Sequence, residues 1–537
     1  RISWAGAVGA LLILILGAMQ PACAAIDADL AKQLASDDSD QKVAAIVTLG
    51  ALATPDSIAL LKALRDETVY VTTDGRLLVA DAEGNAVDPV TGAKLALPEG
   101  ADNIVINNHL RGALDAADSG LQLLSPDVAV RRRAARALEQ GADVAQLPLL
   151  QRVLAKETDA DTRESLALTA SALELKSPDA ALRRAAAERL AESSNPSVQP
   201  LLAALAEPDA QGHFAEPDAG VRSAAAISLR AVNGRVKRAE YIGNMFYGIS
   251  LASILLLAAL GLAITFGLMG IINMAHGELL MIGAYSTYLV QSVFRRFLPD
   301  ALDWYLIAAV PVAFVVAAAV GMALERSVIR WLYGRPLETL LATWGISLIL
   351  QQAVRSIFGA QNVEVANPAW MSGGITILGG VAVAWNRIYI VVFAALVLLL
   401  VWLLLNRTRL GLFVRAVTQN RRMADCVGVP TGRVDMLTFG LGSGIAGLGG
   451  VALSQLGNVG PDLGQGYIVD SFMVVVLGGV GQLAGTVIAA LGLGEVNKFL
   501  EPVAGAVLAK IIILVVIVLF IQKRPQGLFA LKGRSVD

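Results

Sequence analysis

The sequence predicts two domains of different class in one chain. A mainly α, repeat-built domain with a small β-hairpin insertion comes first, and an all-α polytopic membrane domain of about eight apolar segments follows. Three observations predict this. Residues 25–244 carry 23 Lys/Arg and 32 Asp/Glu, a net of −9, whereas residues 245–537 carry 19 and 13, a net of +6; adding Arg1 recovers the overall −2. Long apolar runs are confined to the second part, where only 19 + 13 = 32 residues of 293 are charged. A pattern of aspartate, alanine and leucine recurs four times in the first part.

Arg1 precedes an apolar run from Ala5 to Met19 that is short for a bilayer span, and Pro21-Ala22-Cys23-Ala24 follows. Ala22-x-Ala24 suits signal-peptidase cleavage, so residues 1–24 are expected to be a signal peptide and residues 25–244 an exported, periplasmic domain. Gln20-Pro21-Ala22 is a poor lipobox. Cleavage removes Cys23 and leaves Cys426 alone, which excludes a disulfide framework.

Within 25–244, Asp38, Asp127, Asp179 and Asp218 each stand 11 residues before a leucine: Leu49, Leu138, Leu190 and Leu229. Alanine follows each aspartate by seven residues (Ala45, Ala134, Ala186, Ala225), and a base by four (Lys42, Arg131, Arg183, Arg222). The aspartate suits a helix N-cap, where a carboxylate meets unpaired N–H groups, and the small residue lets the next helix approach. The pattern resembles HEAT-like repeats, whose paired helices stack into a solenoid, here with irregular intervals of 89, 52 and 39 residues. Residues 68–103 break the helical rhythm. Val69–Thr72, Arg76–Val79 and Lys94–Leu97 read as strands, separated by the turn signals Thr73-Asp-Gly75, Glu83-Gly-Asn85 and Val90-Thr-Gly92. His109 and His213 are isolated, no metal or catalytic constellation appears, and the acidic balance excludes nucleic acid as a partner. This domain reads as a docking surface or a spacer.

Eight apolar segments make up residues 245–537: 245–272, 277–294, 304–324, 337–357, 387–405, 435–456, 468–494 and 506–521. With the first part outside, odd-numbered crossings deliver Arg326, Arg330 and Arg335, and then the Asn406–Arg433 loop, to the cytoplasm, as the positive-inside rule requires. Eight full crossings would strand Lys523, Arg524, Lys532 and Arg534 outside. One segment is therefore expected not to cross. Gly478, Gly479, Gly481 and Gly485 mark 468–494 as the candidate for a bent or re-entrant path, with the first segments as rivals. The C-terminus is then cytoplasmic, and the chain is a multi-pass protein of a bacterial inner membrane.

The Asn406–Arg433 loop carries Arg407, Arg409, Arg415, Arg421, Arg422 and Arg433. Phe413, Ala416, Val417, Ala424 and Val427 recur at spacings that line one side of a helix, with Arg415, Gln419, Arg422 and Asp425 facing elsewhere. That is a short amphipathic helix between two membrane helices, suited to being pushed by another protein; a plain solvated basic loop is the alternative. Gly411-x-x-x-Arg415-Ala416-Val417-x-x-Asn420, ending in Gly428-Val429, resembles the cytoplasmic coupling loop of LivH-type permeases, the membrane subunits of ABC importers for branched-chain amino acids and urea. Gly261–Glu278 with Gly283-Ala-Tyr285, Leu477–Gly485 and Arg524–Phe529 are similar, in order, to the first membrane segment, glycine-rich segment and tail of that family.

The chain holds no G-x-x-x-x-G-K-[ST] phosphate loop. It is accordingly expected to bind no cofactor and to be no enzyme, with ATP used by separate subunits. The resemblance implies three partners: ABC ATPase subunits, a second permease of the LivM type, and a periplasmic solute-binding protein. A HEAT-like extension is similar to that of urea-importer permeases, which makes urea the leading cargo and branched-chain or other amino acids the alternative. A passive urea channel and a membrane-anchored scaffold are readings of other classes, opposed by the coupling loop and by the number of apolar segments. For the transport path, Gln351 and Gln352 are the candidates, with the glycines Gly478, Gly479 and Gly481; the amides suit either cargo binding or helix bridging. Asn273, His276 and Glu278 are expected to cap helix ends at the membrane interface or to face the path. The first segment has no charge from Met245 through Ala275, and 337–357 has only Glu338 and Arg355 near its ends, so the passage is expected to favour a neutral cargo over a zwitterion.

Overall fold

A computed structural model describes residues 26–529 except 82–84, 99 and 378–380; the expected signal peptide lies outside the described residues. Two compact units divide the chain, one up to Val236 and one from Lys237.

The first unit is built from short helices whose N-termini are fixed by the residues the pattern picked out. They are α1 (Ala28–Ala35), α2 (Ser39–Leu52), α3 (Pro55–Arg65), α4 (Asn108–Gln122), α5 (Val128–Gly141), α6 (Leu147–Leu154), α7 (Ala160–Glu174), α8 (Ala180–Leu190) and α9 (Val198–Ala206), with α10 (Ala219–Met269) beginning in this unit. Asp38, Asp127 and Asp179 cap α2, α5 and α8, each accepting a backbone N–H two residues on. Asp218 accepts from Val221 N at the start of α10. Ala45, Ala134, Ala186 and Ala225 are buried to within 1 % of complete, and the paired leucines are buried with them. The recurring base has a fixed task in three units. Arg131, Arg183 and Arg222 each donate through Nη1 to the carbonyls of the two residues before the capping aspartate. Arg131 and Arg183 also grip Glu157 and Glu216 through two nitrogens each. The Arg131 guanidinium holds the Glu157 carboxyl down to about 2, against the opposing effect of burial, and Arg183 lowers that of Glu216 in the same way.

The insertion is larger than a hairpin. Strands Val69–Val71, Leu77–Ala80, Asn85–Val87, Lys94–Ala96 and Asp102–Asn103 (β1–β5) form one antiparallel sheet in the order β4-β3-β2-β1-β5. Asn85, expected in a turn, begins β3, because Asp81 receives both its backbone N–H and its side-chain amide and starts the strand one residue early.

In the second unit α10 is followed by α11 (His276–Phe297), α12 (Tyr305–Ser327), α13 (Pro336–Phe358), α14 (Trp385–Arg407), α15 (Arg409–Gln419), α16 (Arg421–Cys426), α17 (Thr431–Ser454), α18 (Leu463–Gly478), α19 (Leu483–Ala504) and α20 (Ala506–Lys523). Among the described residues seven helices are long and apolar enough to cross a membrane: α10, α12, α13, α14, α17, α19 and α20. Segment 277–294 is absent from that set. Its helix, α11, carries His276, Glu278, Thr287 and Gln291 and is enclosed by protein along its first four turns, an environment in which polar residues at membrane depth are tolerated. Segment 468–494 is two helices rather than one, since φ of +101° at Gly479 and +78° at Gly481 turns the chain between α18 and α19. A further hairpin, β6 (Gly374–Ile377) with β7 (Val381–Ala384), precedes α14 and had no clear sequence signal.

The glycine-rich α17 is the buried axis of this unit, and α10, α11 and α12 all lie against it. Small residues set these contacts. A Cβ on Gly283 of α11 would overlap the backbone of Gly447, and a Cβ on Gly447 would overlap Ala317 and the Ala313 carbonyl of α12. Close backbone approach of this kind is how helices associate where lipid supplies no hydrophobic drive.

Candidate functional site

Two constellations in the second unit bear on function. The first lies where α10 ends and α11 begins. Residues 270–275 are non-helical, and His276 opens α11 with its Nε2 2.9 Å from the carbonyl of Ala258. Ala258 sits midway along the apolar part of α10, so α11 starts in the interior of the bundle. Irregular backbone at that depth needs internal partners. Asn273 Oδ1 accepts from Ala275 N at 3.0 Å, and Thr343 Oγ1 accepts from Met274 N at 3.2 Å.

Thr343 belongs to a polar stripe on α13. The buried residues of that helix are Thr339, Thr343, Ser347, Gln351 and Val354, four of them polar and four residues apart. Leu337, Leu341, Trp344, Ile349 and Ile357 are exposed. The polar face is therefore turned into the protein and the apolar face away from it. Opposite the stripe, Glu278 is only 1 % exposed. Its Oε1 accepts from Ser347 Oγ at 2.9 Å and from Gln351 Nε2 at 2.8 Å. Glu278 Oε2, Asn273 Nδ2 and His276 Nδ1 are buried without a protein partner. At the end of the stripe Arg355 donates to Asp462 Oδ1 at 2.5 Å.

Of the expected path residues, Gln351 is thus in this cluster. Gln352, one residue on, is exposed, because a step of about 100° carries it off the buried face. Gly478, Gly479 and Gly481 lie away from the cluster. They form the α18–α19 turn, where Gly478 meets Gly485, Gly479 meets the carbonyls of Gln526 and Phe529, and Gly481 meets Gly267. Leu528 N donates to the Leu477 carbonyl at 2.9 Å, which ties the tail to this turn. Asn273, His276 and Glu278 are buried in the bundle rather than at its rim, so an interfacial capping role does not describe them.

The second constellation is the arginine-rich loop. It forms two helices, α15 and α16, because Asn420 leaves helical geometry and caps α16 by accepting from Met423 N at 2.9 Å. Val417 and Ala424 are buried with Val434 against Phe413, Val414, Ala416 and Met269. Val427 is 71 % exposed, contrary to its expected place on the buried side, since α16 ends at Cys426 and the chain turns away. Gly428 makes that turn at φ +86°. Gly411 lies against the Leu405 carbonyl, and Arg415 Nη1 donates to the same carbonyl at 2.7 Å, so both fix α15 to the end of α14.

Arg421 anchors the other side. It pairs with Asp435, fully buried near the start of α17, and its guanidinium lies 5.0 Å from the centre of the Tyr333 ring. Tyr333 donates to Glu325 Oε1 of α12 at 2.9 Å. Burial pushes the Tyr333 phenol up, so it stays a donor. Leu412, Met423 and Val427 remain exposed on the outer side of this helical pair.

A helical bundle with a helix broken at its core, an inward polar stripe and a rigidly anchored helical pair at one end is the build of a membrane permease. The chain belongs to the branched-chain amino acid transport system / permease component family, whose model matches residues 244–521. It is 30 % identical over 295 residues to the high-affinity branched-chain amino acid transport system permease protein LivH of Escherichia coli K12, a match covering 54 % of this chain and 95 % of that one. Identity to the corresponding BraD protein of Pseudomonas aeruginosa is 29 % over 295 residues, with the same coverage. A shorter stretch of 113 residues is 32 % identical to the ribose import permease protein RbsC of Escherichia coli K12, covering 20 % of this chain and 35 % of that one. No solved structure matches the chain. The chain is a transport permease subunit, as its homologues are, and not an enzyme.

Proposed function

We propose that this chain is a membrane subunit of an ATP-driven importer. Separate ATPase subunits would drive it through the α15–α16 pair, a LivM-type second permease would complete the passage, and a solute-binding protein would deliver cargo on the opposite face. The observation that carries this is the helical pair itself. It is held to three membrane helices by Arg415, Arg421 and the Val417–Ala424–Val434 cluster, while Leu412, Met423 and Val427 stay open to a partner. The basic end would be cytoplasmic and the 26–236 unit, read as HEAT-like, periplasmic.

For the cargo, a branched-chain amino acid is the better supported reading. The relatives carry that name, and Glu278 weighs against a charge-free passage. Neither segment considered supplies a central charge, but folding brings Glu278 from the next helix onto Gln351. A carboxylate and a helix N-terminus in one buried place suit a zwitterion. Urea is the second reading, favoured by the regular caps and buried alanines of the first unit, which fit the repeat extension on which that resemblance rests. The test is uptake of labelled leucine and labelled urea by vesicles holding the whole importer, each challenged with an excess of the other. Leucine uptake that ignores urea and needs ATP supports the first reading. ATP-dependent urea uptake that ignores leucine replaces it with the second, and uptake independent of ATP defeats both.

A further inference from the structure

We propose that Glu278 is the group of this permease that reads the cargo, its Oε2 accepting an N–H donor from the solute as it passes along the α13 stripe. This rests on the permease reading above and adds the contact and its chemistry.

The stripe supplies the surface. Thr339, Thr343, Ser347 and Gln351 are the polar residues that α13 buries, while Leu337, Leu341, Trp344, Ile349 and Ile357 of the same helix are exposed. Helices that pack in lipid also bury Ser, Thr and Gln; what packing does not call for is a buried carboxyl oxygen left without a partner beside them. Polar residues at membrane depth are costly, and their confinement to one buried line marks a hydrophilic route. Glu278 is the ionisable residue set on that line. The two protein donors within reach, Ser347 and Gln351, both go to Oε1. Oε2 is as deeply buried and has no protein partner, a situation that is costly unless something binds there. Asn273, on the break that opens α11, holds an unpartnered amide N–H as well. An acceptor and a donor on one broken helix match a solute with N–H on one side and oxygen on the other. Both an amino acid and urea have that form, the first through its ammonium and the second through its amide.

The test uses the unmodified importer in proteoliposomes with its ATPase subunits and binding protein. Dicyclohexylcarbodiimide, which modifies carboxyl groups in apolar surroundings, is applied with or without cargo, and modification at Glu278 is read by peptide mass spectrometry with Asp470 of α18, whose carboxylate accepts from Lys510 of α20 at 3.0 Å, as reference. Leucine and urea form separate arms, beside 4-methylpentanoate and acetone, which lack the N–H donors. The transported solute should slow modification of Glu278 about tenfold, the worth of one charge-assisted hydrogen bond, and leave Asp470 unchanged. Its N–H-free counterpart should protect nothing. Protection by both, or by neither, overturns the proposal. Glu278→Gln should in addition cut uptake per ATP hydrolysed about tenfold; uptake within twofold of the parent overturns it. If that variant does not assemble, the labelling of the native protein decides. Failure of ATP-dependent uptake in the unmodified importer would count against the transport reading, whereas normal uptake with an unprotected Glu278 counts against this inference alone.

Discussion

Replacing Arg421 by alanine isolates what joins the loop helices to the bundle. Asp435 is completely buried, and Arg421, which pairs with it through two nitrogens, is 43 % exposed at the side chain. Breaking a buried ion pair costs about 3–5 kcal/mol, most of it the penalty of an uncompensated charge. Water can reach the Arg421 side, so screening brings the cost below that range, to about 2–3 kcal/mol. The stacking of the guanidinium on Tyr333 adds about 0.5–1 kcal/mol at such a site. The readouts are the unfolding midpoint of the detergent-purified permease pair and, separately, uptake and stimulation of ATP hydrolysis by the loaded binding protein. Arg421→Ala should lower the midpoint and uncouple hydrolysis from uptake. Arg421→Ala combined with Asp435→Asn removes the stranded charge, so most of the stability should return while uptake stays low. An unchanged midpoint and normal uptake in the single variant would refute the reasoning. So would a double variant that regains both.

Three further outcomes are expected. Gly478→Leu should disrupt the α18–α19 turn, because its side chain would meet the backbone of Gly485 and Thr486, and limited proteolysis should then cut between α18 and α19. Arg131→Met should lower the first urea-unfolding transition seen by far-ultraviolet circular dichroism by about 2 kcal/mol at neutral pH. Because the folded Glu157 carboxyl is depressed from 4.5 to about 2, this difference should be full above pH 4.5 and fade as the pH falls towards 2. With Cys23 and Cys426 replaced, single cysteines at Ser194 and Arg534 should respond oppositely to an impermeant thiol reagent in intact cells; equal labelling would defeat the proposed sidedness.

Local signals carried much of this fold into the sequence, and tertiary ones did not. The aspartate, alanine and leucine positions of the first unit were readable because a cap and a close helix contact each demand a particular residue type at a fixed spacing. The loop between α14 and α17 was readable as amphipathic, but its division at Asn420 was not, since an asparagine between a glutamine and two arginines carries no strong breaker signal. Residues 468–494 read as one segment because Asp470 is the only charged residue among them, and the glycines signal a bend without fixing where the helix ends. The α13 stripe is present in the sequence at intervals of four, but Thr339, Thr343 and Ser347 carry a weaker polar signal than the amides of Gln351 and Gln352. Asp435 carried no sequence signal, and Glu278 carried only its place between two apolar segments. Each owes its role to a residue 73 or 14 positions away, and only the packing of helices brings those partners together.

Packing also connects the two constellations. Asp435, which holds the α16 side of the loop, stands on α17, and the same helix meets α11 through Gly447 and Gly283 and through Gly450 and Leu280. Glu278 lies on α11 less than two turns before those contacts. A displacement of α16 therefore reaches the carboxylate through one buried pair and one helix contact, without crossing a flexible linker. Contacts made by glycine backbone have no interlocking side chains, so two helices can slide along one another at little steric cost, the shear type of motion. On the far side, α13 meets α11 through the hydrogen bonds of Ser347 and Gln351 to Glu278 and through Phe358, whose ring centre lies 4.7 Å from that of Tyr285. Both ends of this route are thus anchored by side chains, Asp435 by Arg421 and Glu278 by Ser347 and Gln351. The glycine contacts between α11 and α17 are where sliding costs least.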